Sequence, residues 1–142
     1  MKLVRRNLEG DLERFWLFAD CSKKGLAEIE NLGTRVKVPA NRVLVREGGR
    51  DSDLMIVVAG TATCLIRGVV VAEFSDGDFF GEIAALDGGR RTATVIATTD
   101  MEILIFNKDE FGVLLDISPQ VAKRILFASA RRLRMANNLV TV

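Results

Sequence analysis

Residues 79–95 read FFGEIAALDGGRRTATV, and the way this stretch is taken decides how the rest of the chain is read. An aromatic pair leads into a glycine, a glutamate and a short apolar run; two glycines, two arginines and an alternating TATV follow. GEIAAL, set between turn residues and DGG, predicts about one and a half turns of helix. The first amides of such a helix have no partner within it and suit an anion. Gly81 carries no Cβ and permits close approach to the backbone. Arg91, beyond the DGG turn, offers a two-pronged guanidinium that fits a phosphate better than an ammonium does. Glu82 beside a phosphate is repulsive unless it accepts hydrogen bonds from sugar hydroxyls while steadying the arginine. These parts describe a pocket for a sugar phosphate. The same letters also fit a surface turn closed by a Glu–Arg pair, worth under about 1 kcal/mol.

Working outward, the chain before this stretch is a series of short β patterns. From Thr34, TRVKV alternates, residues 39–41 turn, RVLVRE alternates again and GGRDSD turns. LMIVVAG predicts a buried strand, TATCLIRG an alternating one, and VVVAEF follows the turn at Gly68. After the opening stretch, TATVIATT and MEILIF predict two more strands joined near Asp100. Strands this closely spaced, with no long helix between them, imply an antiparallel sandwich or jelly roll. Helices flank it. LERFWLFADCSKKGLAEIENLG predicts two short ones with Phe15, Trp16, Phe18, Leu26, Ile29 and Leu32 on apolar faces, Ser22 as a cap and Gly33 as a stop. NKDEFGVLLD predicts another capped by Asn107, and Ser118-Pro119 opens a longer one. On that last helix Ala122, Ile125, Leu126, Ser129, Leu133 and Ala136 share a face, and Lys123, Arg124, Arg131, Arg132 and Arg134 crowd the remainder.

The expected fold class is therefore mainly β with flanking helices. Its centre is an antiparallel β-roll or jelly roll (a double-stranded β-helix) with a short cassette helix and a C-terminal lid helix. One domain is expected over residues 1–142: N-terminal helices in 1–33, the roll in 34–106 and C-terminal helices in 107–142. A net charge of +1 gives no general attraction to nucleic acid or membrane. No apolar run approaches a membrane span, and no signal peptide opens the chain. Cys21 and Cys64 match no metal or redox spacing and read as free thiols of a cytoplasmic protein. The chain has no histidine, which removes the commonest residue of zinc-hydrolase, general-base and cupin-type metal sites. No catalytic residue, metal or cofactor is expected.

FGEIAALDGGRRTATV resembles the phosphate-binding cassette of the cyclic nucleotide-binding domain family, F-G-E-[IL]-A-[LA]-L-x-x-x-P-R-[ST]-A-x-V. Phe80, Gly81, Glu82, Ile83, Ala84, Leu86, Arg91, Thr92, Ala93 and Val95 match it. The glycine-marked strands upstream and the helices at both ends are similar to the family as well, so the resemblance covers almost the whole chain. It implies a regulatory, non-enzymatic module with cAMP or cGMP as its ligand. Arg91 would clamp the exocyclic phosphate oxygens, joined by the amides of Ile83 and Ala84. Glu82 would accept from the ribose 2′-hydroxyl with Gly81 alongside. Thr92 would add a hydroxyl, and Ala93 would pack against the cassette. The final helix would move on binding, with Arg131, Arg132 and Arg134 as candidates to cap the base; a solvated basic face is the competing reading of those three. Because some family members use a threonine at this place to contact the guanine amino group, Thr92 leaves cGMP open beside cAMP.

Three departures stand out. Arg90 occupies the place where the family has proline before the arginine, which loosens the turn and lets Arg90 compete for the phosphate. Ser52 stands in GGRDSD where the family has aspartate, and that loop is expected to lie away from the phosphate. Asn41 replaces a turn glycine and suits a left-handed backbone. The expected partners are a cyclic nucleotide and either a protein effector in trans or an output domain outside this chain, with a homodimer through the last helix as a further option. No DNA-binding element is expected, since residues 1–142 leave no room for a helix-turn-helix after that helix. The alternative function is an effector-free dimerisation module.

Overall fold

Alternating strand patterns can bury both of their faces only when something covers each side. In this computed structural model, which describes residues 2–3 and 12–136, two antiparallel sheets and the flanking helices meet that need. The strands are β1 (Lys2–Leu3), β2 (Thr34–Val38), β3 (Val43–Val45), β4 (Leu54–Ala59), β5 (Ala62–Ile66), β6 (Val69–Phe74), β7 (Phe79–Phe80), β8 (Thr94–Ala97) and β9 (Met101–Phe106). One sheet has the order β1-β2-β9-β4-β7 and the other β3-β8-β5-β6. The helices are α1 (Lys23–Leu32), the cassette helix α2 (Glu82–Asp87), α3 (Lys108–Ile117) and α4 (Pro119–Ala136). The expected antiparallel roll with flanking helices is the observed architecture.

β4 shows why the roll needs its helices. Leu54, Ile56 and Val58 enter an apolar cluster with Phe18, Ile29, Phe111, Leu114, Val121 and Ile125, beneath the helices. Met55 and Val57 point the other way, into a second cluster between the two sheets with Val36, Val45, Phe80, Val95 and Ile103. A strand covered on both faces loses its polar alternation, so LMIVV is buried throughout. β7 divides in the same manner, with Phe79 in the helix-side cluster and Phe80 between the sheets. The aromatic pair therefore ties the cassette to both cores.

Local chemistry sets the ends of the elements. The Ser22 hydroxyl accepts from the Gly25 amide at 3.0 Å and opens α1. Asn107 and Glu110 form a reciprocal capping box at the start of α3, each contact 2.8 Å. Asn41 takes the left-handed conformation expected of it, at φ 72°.

Three expectations needed correction. The first N-terminal helix is a single 3₁₀ turn over Trp16–Phe18, and Trp16 is 52% exposed on α4, against Phe127 and beneath Arg124. Phe15, Leu17 and Phe18 fill the core there. The α4 stripe is also rotated: Val121 and Ile125 are buried, while Leu126 and Leu133 are each 65% exposed. Arg124 pins that rotation by pairing with Asp20 and donating to the Trp16 carbonyl. Lastly, TATVIATT and RVLVRE yield strands only over Thr94–Ala97 and Val43–Val45, with a register shift where they pair. Residues 137–142, the end of the expected C-terminal helical region, lie outside the described residues.

Candidate functional site

The cassette begins with a backbone that only glycine tolerates. Gly81 has φ 90°, and a Cβ on it would lie 2.5 Å from the Asp53 carbonyl oxygen and 2.8 Å from Arg91 Nη1. That conformation turns the chain from β7 into α2 at Glu82. The amides of Ile83 and Ala84 fall in the first helical turn, where no intrahelical acceptor exists for them. Ala84 is buried and Ile83 half-exposed. Gly88, at φ 70°, closes the helix by donating to the Ala84 carbonyl.

Arg91 is 4% exposed, and its guanidinium is held on three sides. Nε and Nη2 donate to Asp51 Oδ2 at 3.1 and 2.7 Å, Nη2 also donates to the Asp53 carbonyl at 2.8 Å, and Nη1 donates to the Gly81 carbonyl at 3.1 Å. Four of its five N–H groups are thereby engaged, leaving one on Nη1 beside the start of α2. The main chain is fixed as well: the Arg91 amide donates to the Gly49 carbonyl, and the Gly48 amide donates to the Arg91 carbonyl. The GGRDSD loop thus lies directly on Arg91, which corrects the expectation that it lies away from the phosphate end. Burial pushes the Asp53 carboxyl above its ordinary value, opposed by Arg91 and assisted by Asp51 and Glu110. Arg90 is exposed and donates to the Gly48 carbonyl at 2.9 Å, so it staples the same loop from outside.

Glu82 is 5% exposed, and its partners come from α4. Ser129 Oγ donates to Oε2 at 2.9 Å, and Arg132 Nη1 to Oε1 at 3.4 Å. Arg132 also donates to the Phe79 carbonyl at 2.5 Å, and its guanidinium lies 4.3 Å from the centre of the Phe79 ring and 5.2 Å from that of Phe74. The arginine that Glu82 steadies is therefore Arg132; among the described residues no ion pair joins it to Arg91. Cys64 on β5 is buried close enough to feel this pair. Burial pushes its thiol up, Arg132 opposes and Glu82 adds.

The structure therefore brings Gly81, Glu82, Ile83, Ala84 and Arg91 together, and adds Arg132. Thr92 is exposed next to Arg91, and Ala93 packs against the cluster between the sheets. Arg131 is exposed with its guanidinium over the Phe127 ring, and Arg134 is exposed; no hydrogen bond or ion pair joins either to the site among the described residues. The sequence reading missed Asp51, Asp53, Cys64 and the role of Ser129. A hydroxyl on the otherwise apolar stripe of α4 was the available signal for Ser129.

A buried arginine, a buried carboxylate and the free amides of one helix start are thus gathered around the cassette, donors that suit an anion and an acceptor that suits hydroxyls. Comparisons with known proteins agree with that chemistry. A family model described as the cyclic nucleotide-binding domain matches residues 35–118. A Pycsar effector protein of Xanthomonas perforans is 32% identical over 139 residues, covering 96% of this chain and 45% of the relative. The cAMP-dependent protein kinase regulatory subunit of Aspergillus niger is 29% identical, covering 88% of this chain and 31% of the subunit. Among solved structures, the catabolite activator protein of Thermus thermophilus superimposes with a TM-score of 0.79 at 26% identity, covering 87% of this chain and 61% of that one. The chain spans less than half the length of the two curated relatives.

Proposed function

This chain belongs to the cyclic nucleotide-binding domain family, and from that premise we propose that it binds cAMP between Arg91 and Glu82 and reports occupancy through α4. The observation that carries the reading is the burial of two opposite charges, Arg91 and Glu82, at one cassette, where each suits a different part of a single ligand. Arg91 Nη1 and the amides of Ile83 and Ala84 take the exocyclic phosphate oxygens. Asp51 is half-exposed and can swing off the guanidinium to free further donors. Glu82 accepts from the ribose 2′-hydroxyl, with Gly81 beneath the ring. Thr92 supplies a hydroxyl near the phosphate, and Ala93 keeps the cassette tight.

The coupling follows from the partners of Glu82. A ribose hydroxyl entering that carboxylate competes with Ser129 and Arg132, both on α4, so occupancy at the sugar end changes what holds the helix. Arg132 is then the lid residue, in preference to Arg131 or Arg134. Similarity to a cAMP-dependent protein kinase regulatory subunit favours cAMP, and Thr92 keeps cGMP in view. The output acts through an effector in trans or through a further domain, in keeping with relatives that are much longer than this chain.

Calorimetric titration with cAMP and with cGMP tests the reading, with Arg91→Ala as control. Saturable binding of cAMP that exceeds binding of cGMP is expected. Arg91→Ala should cost about 2–5 kcal/mol, because a buried phosphate loses its partner, and so weaken binding at least about tenfold. Unchanged binding in that variant removes this assignment of the site. A second reading, an effector-free dimerisation module, draws on the exposed Leu126, Leu133 and Met135 of α4. It is favoured if a folded protein binds neither nucleotide and dimerises through that helix.

A further inference from the structure

β6 is the outer strand of its sheet, with β5 on one side and no strand on the other among the described residues. Such an edge carries main-chain donors and acceptors free to pair, and natural sheets blunt it with lysine, proline or a bulge. Here a bulge is present: Leu65 faces Val70 and Cys64 faces Ala72, so Val71 is the extra residue on β6. Yet the residues turned outward are apolar. Val69, Val70 and Val71 are 63%, 56% and 52% exposed, and Ile66 joins them at the tip of the hairpin. Three consecutive exposed valines mean that neither face of this strand end is covered.

We propose that this edge pairs with β6 of a second copy of the chain, antiparallel about Val70. The occupant is identified by self-complementarity. Residues 67–73 read RGVVVAE, and a two-fold axis through Val70 sets Val69 against Val71 within β6, while the exposed Arg67, in the left-handed turn just before the strand, comes to the side of Glu73 of the second copy. Moving the axis to Val69 or Val71 breaks the charge match: Arg67 then meets Val71, or Glu73 meets Val69. Both charged side chains are exposed, and among the described residues neither has an ion pair within its own chain. The Arg67 main chain is already fixed, since its amide donates to Glu47 at 3.0 Å, so the hairpin tip is presented in one conformation. The pairing also buries valine against valine and satisfies the edge. It involves neither Arg91 nor Glu82 and stands apart from the nucleotide reading.

Sedimentation velocity over a concentration series on the full chain tests the proposal. A concentration-dependent dimer is expected, and Val70→Lys, which opposes two lysines on the axis, should abolish it. Glu73→Arg should weaken the dimer severalfold, and adding Arg67→Glu to it should restore wild-type association. Circular dichroism checks that each variant is folded, and recovery in the double variant shows that the loss came from the charge match. Leu133→Glu on α4 should leave the dimer intact. A wild-type monomer at every concentration overturns the proposal, as does a dimer that survives Val70→Lys. Failure of the charge swap to restore association overturns the register about Val70.

Discussion

Arg91 is held by neighbours inside the β-roll, whereas Glu82 is held by the last helix. The partners of Arg91 sit in the loop before β4 and at Gly81, and main-chain bonds to Gly48 and Gly49 lock its position in both directions. Glu82 relies on Ser129 and Arg132, which follow it by 47 and 50 positions on an element that packs from outside. Arg91 is thus held by the scaffold, and Glu82 by a helix packed on its outside. A ligand spanning both would be anchored at the first and sensed at the second.

The largest effect should come from breaking the fixed end. Beyond its loss of nucleotide, Arg91→Ala leaves the Asp51 carboxylate and the Gly81 and Asp53 carbonyls without their shared donor, so a lower melting temperature is expected by calorimetry. Gly81→Ala should follow. Its Cβ meets a main-chain oxygen that cannot swing aside, at a positive φ, and a cost of about 1–3 kcal/mol in denaturant unfolding is expected. At the other end, Glu82→Gln keeps the shape but removes the charge facing Arg132 and the sugar. Binding of cAMP should weaken by about 1–2 kcal/mol while the fold persists, and titration of the variant checks this.

The contrast also explains what was legible in the sequence. Strand positions, the Ser22 cap and the Asn107 capping box are local, so alternation and spacing revealed them. The glycine, glutamate and arginine of the cassette were legible because Gly81 and Arg91 are only ten positions apart. The partners of Arg91 and Glu82 were not, since each lies about 40 to 50 positions away and is fixed only by the packing of sheets and helices. The α4 stripe misled for a related reason: a helical wheel gives a face but not its rotation, which Arg124, Asp20 and Trp16 set from outside the helix.

A smaller effect sharpens the fixed end further. The folded state holds the Asp53 proton more tightly than the unfolded chain does, because burial raises that carboxyl. Its contribution to stability is therefore present at acidic pH and is lost as pH rises from the ordinary carboxylate value through the raised one. Asp53→Asn should remove that slope from thermal unfolding measured across the acidic range. The carbonyl that Arg91 uses is main chain and stays in place.

Amide hydrogen exchange along α4, with and without cAMP, tests the division of labour most directly when wild type is compared with Arg132→Ala. Nucleotide should change exchange across residues 125–134 in the wild type, and Arg132→Ala should still bind cAMP while losing most of that response. A wild-type protein that binds cAMP with no change in α4 would contradict the account.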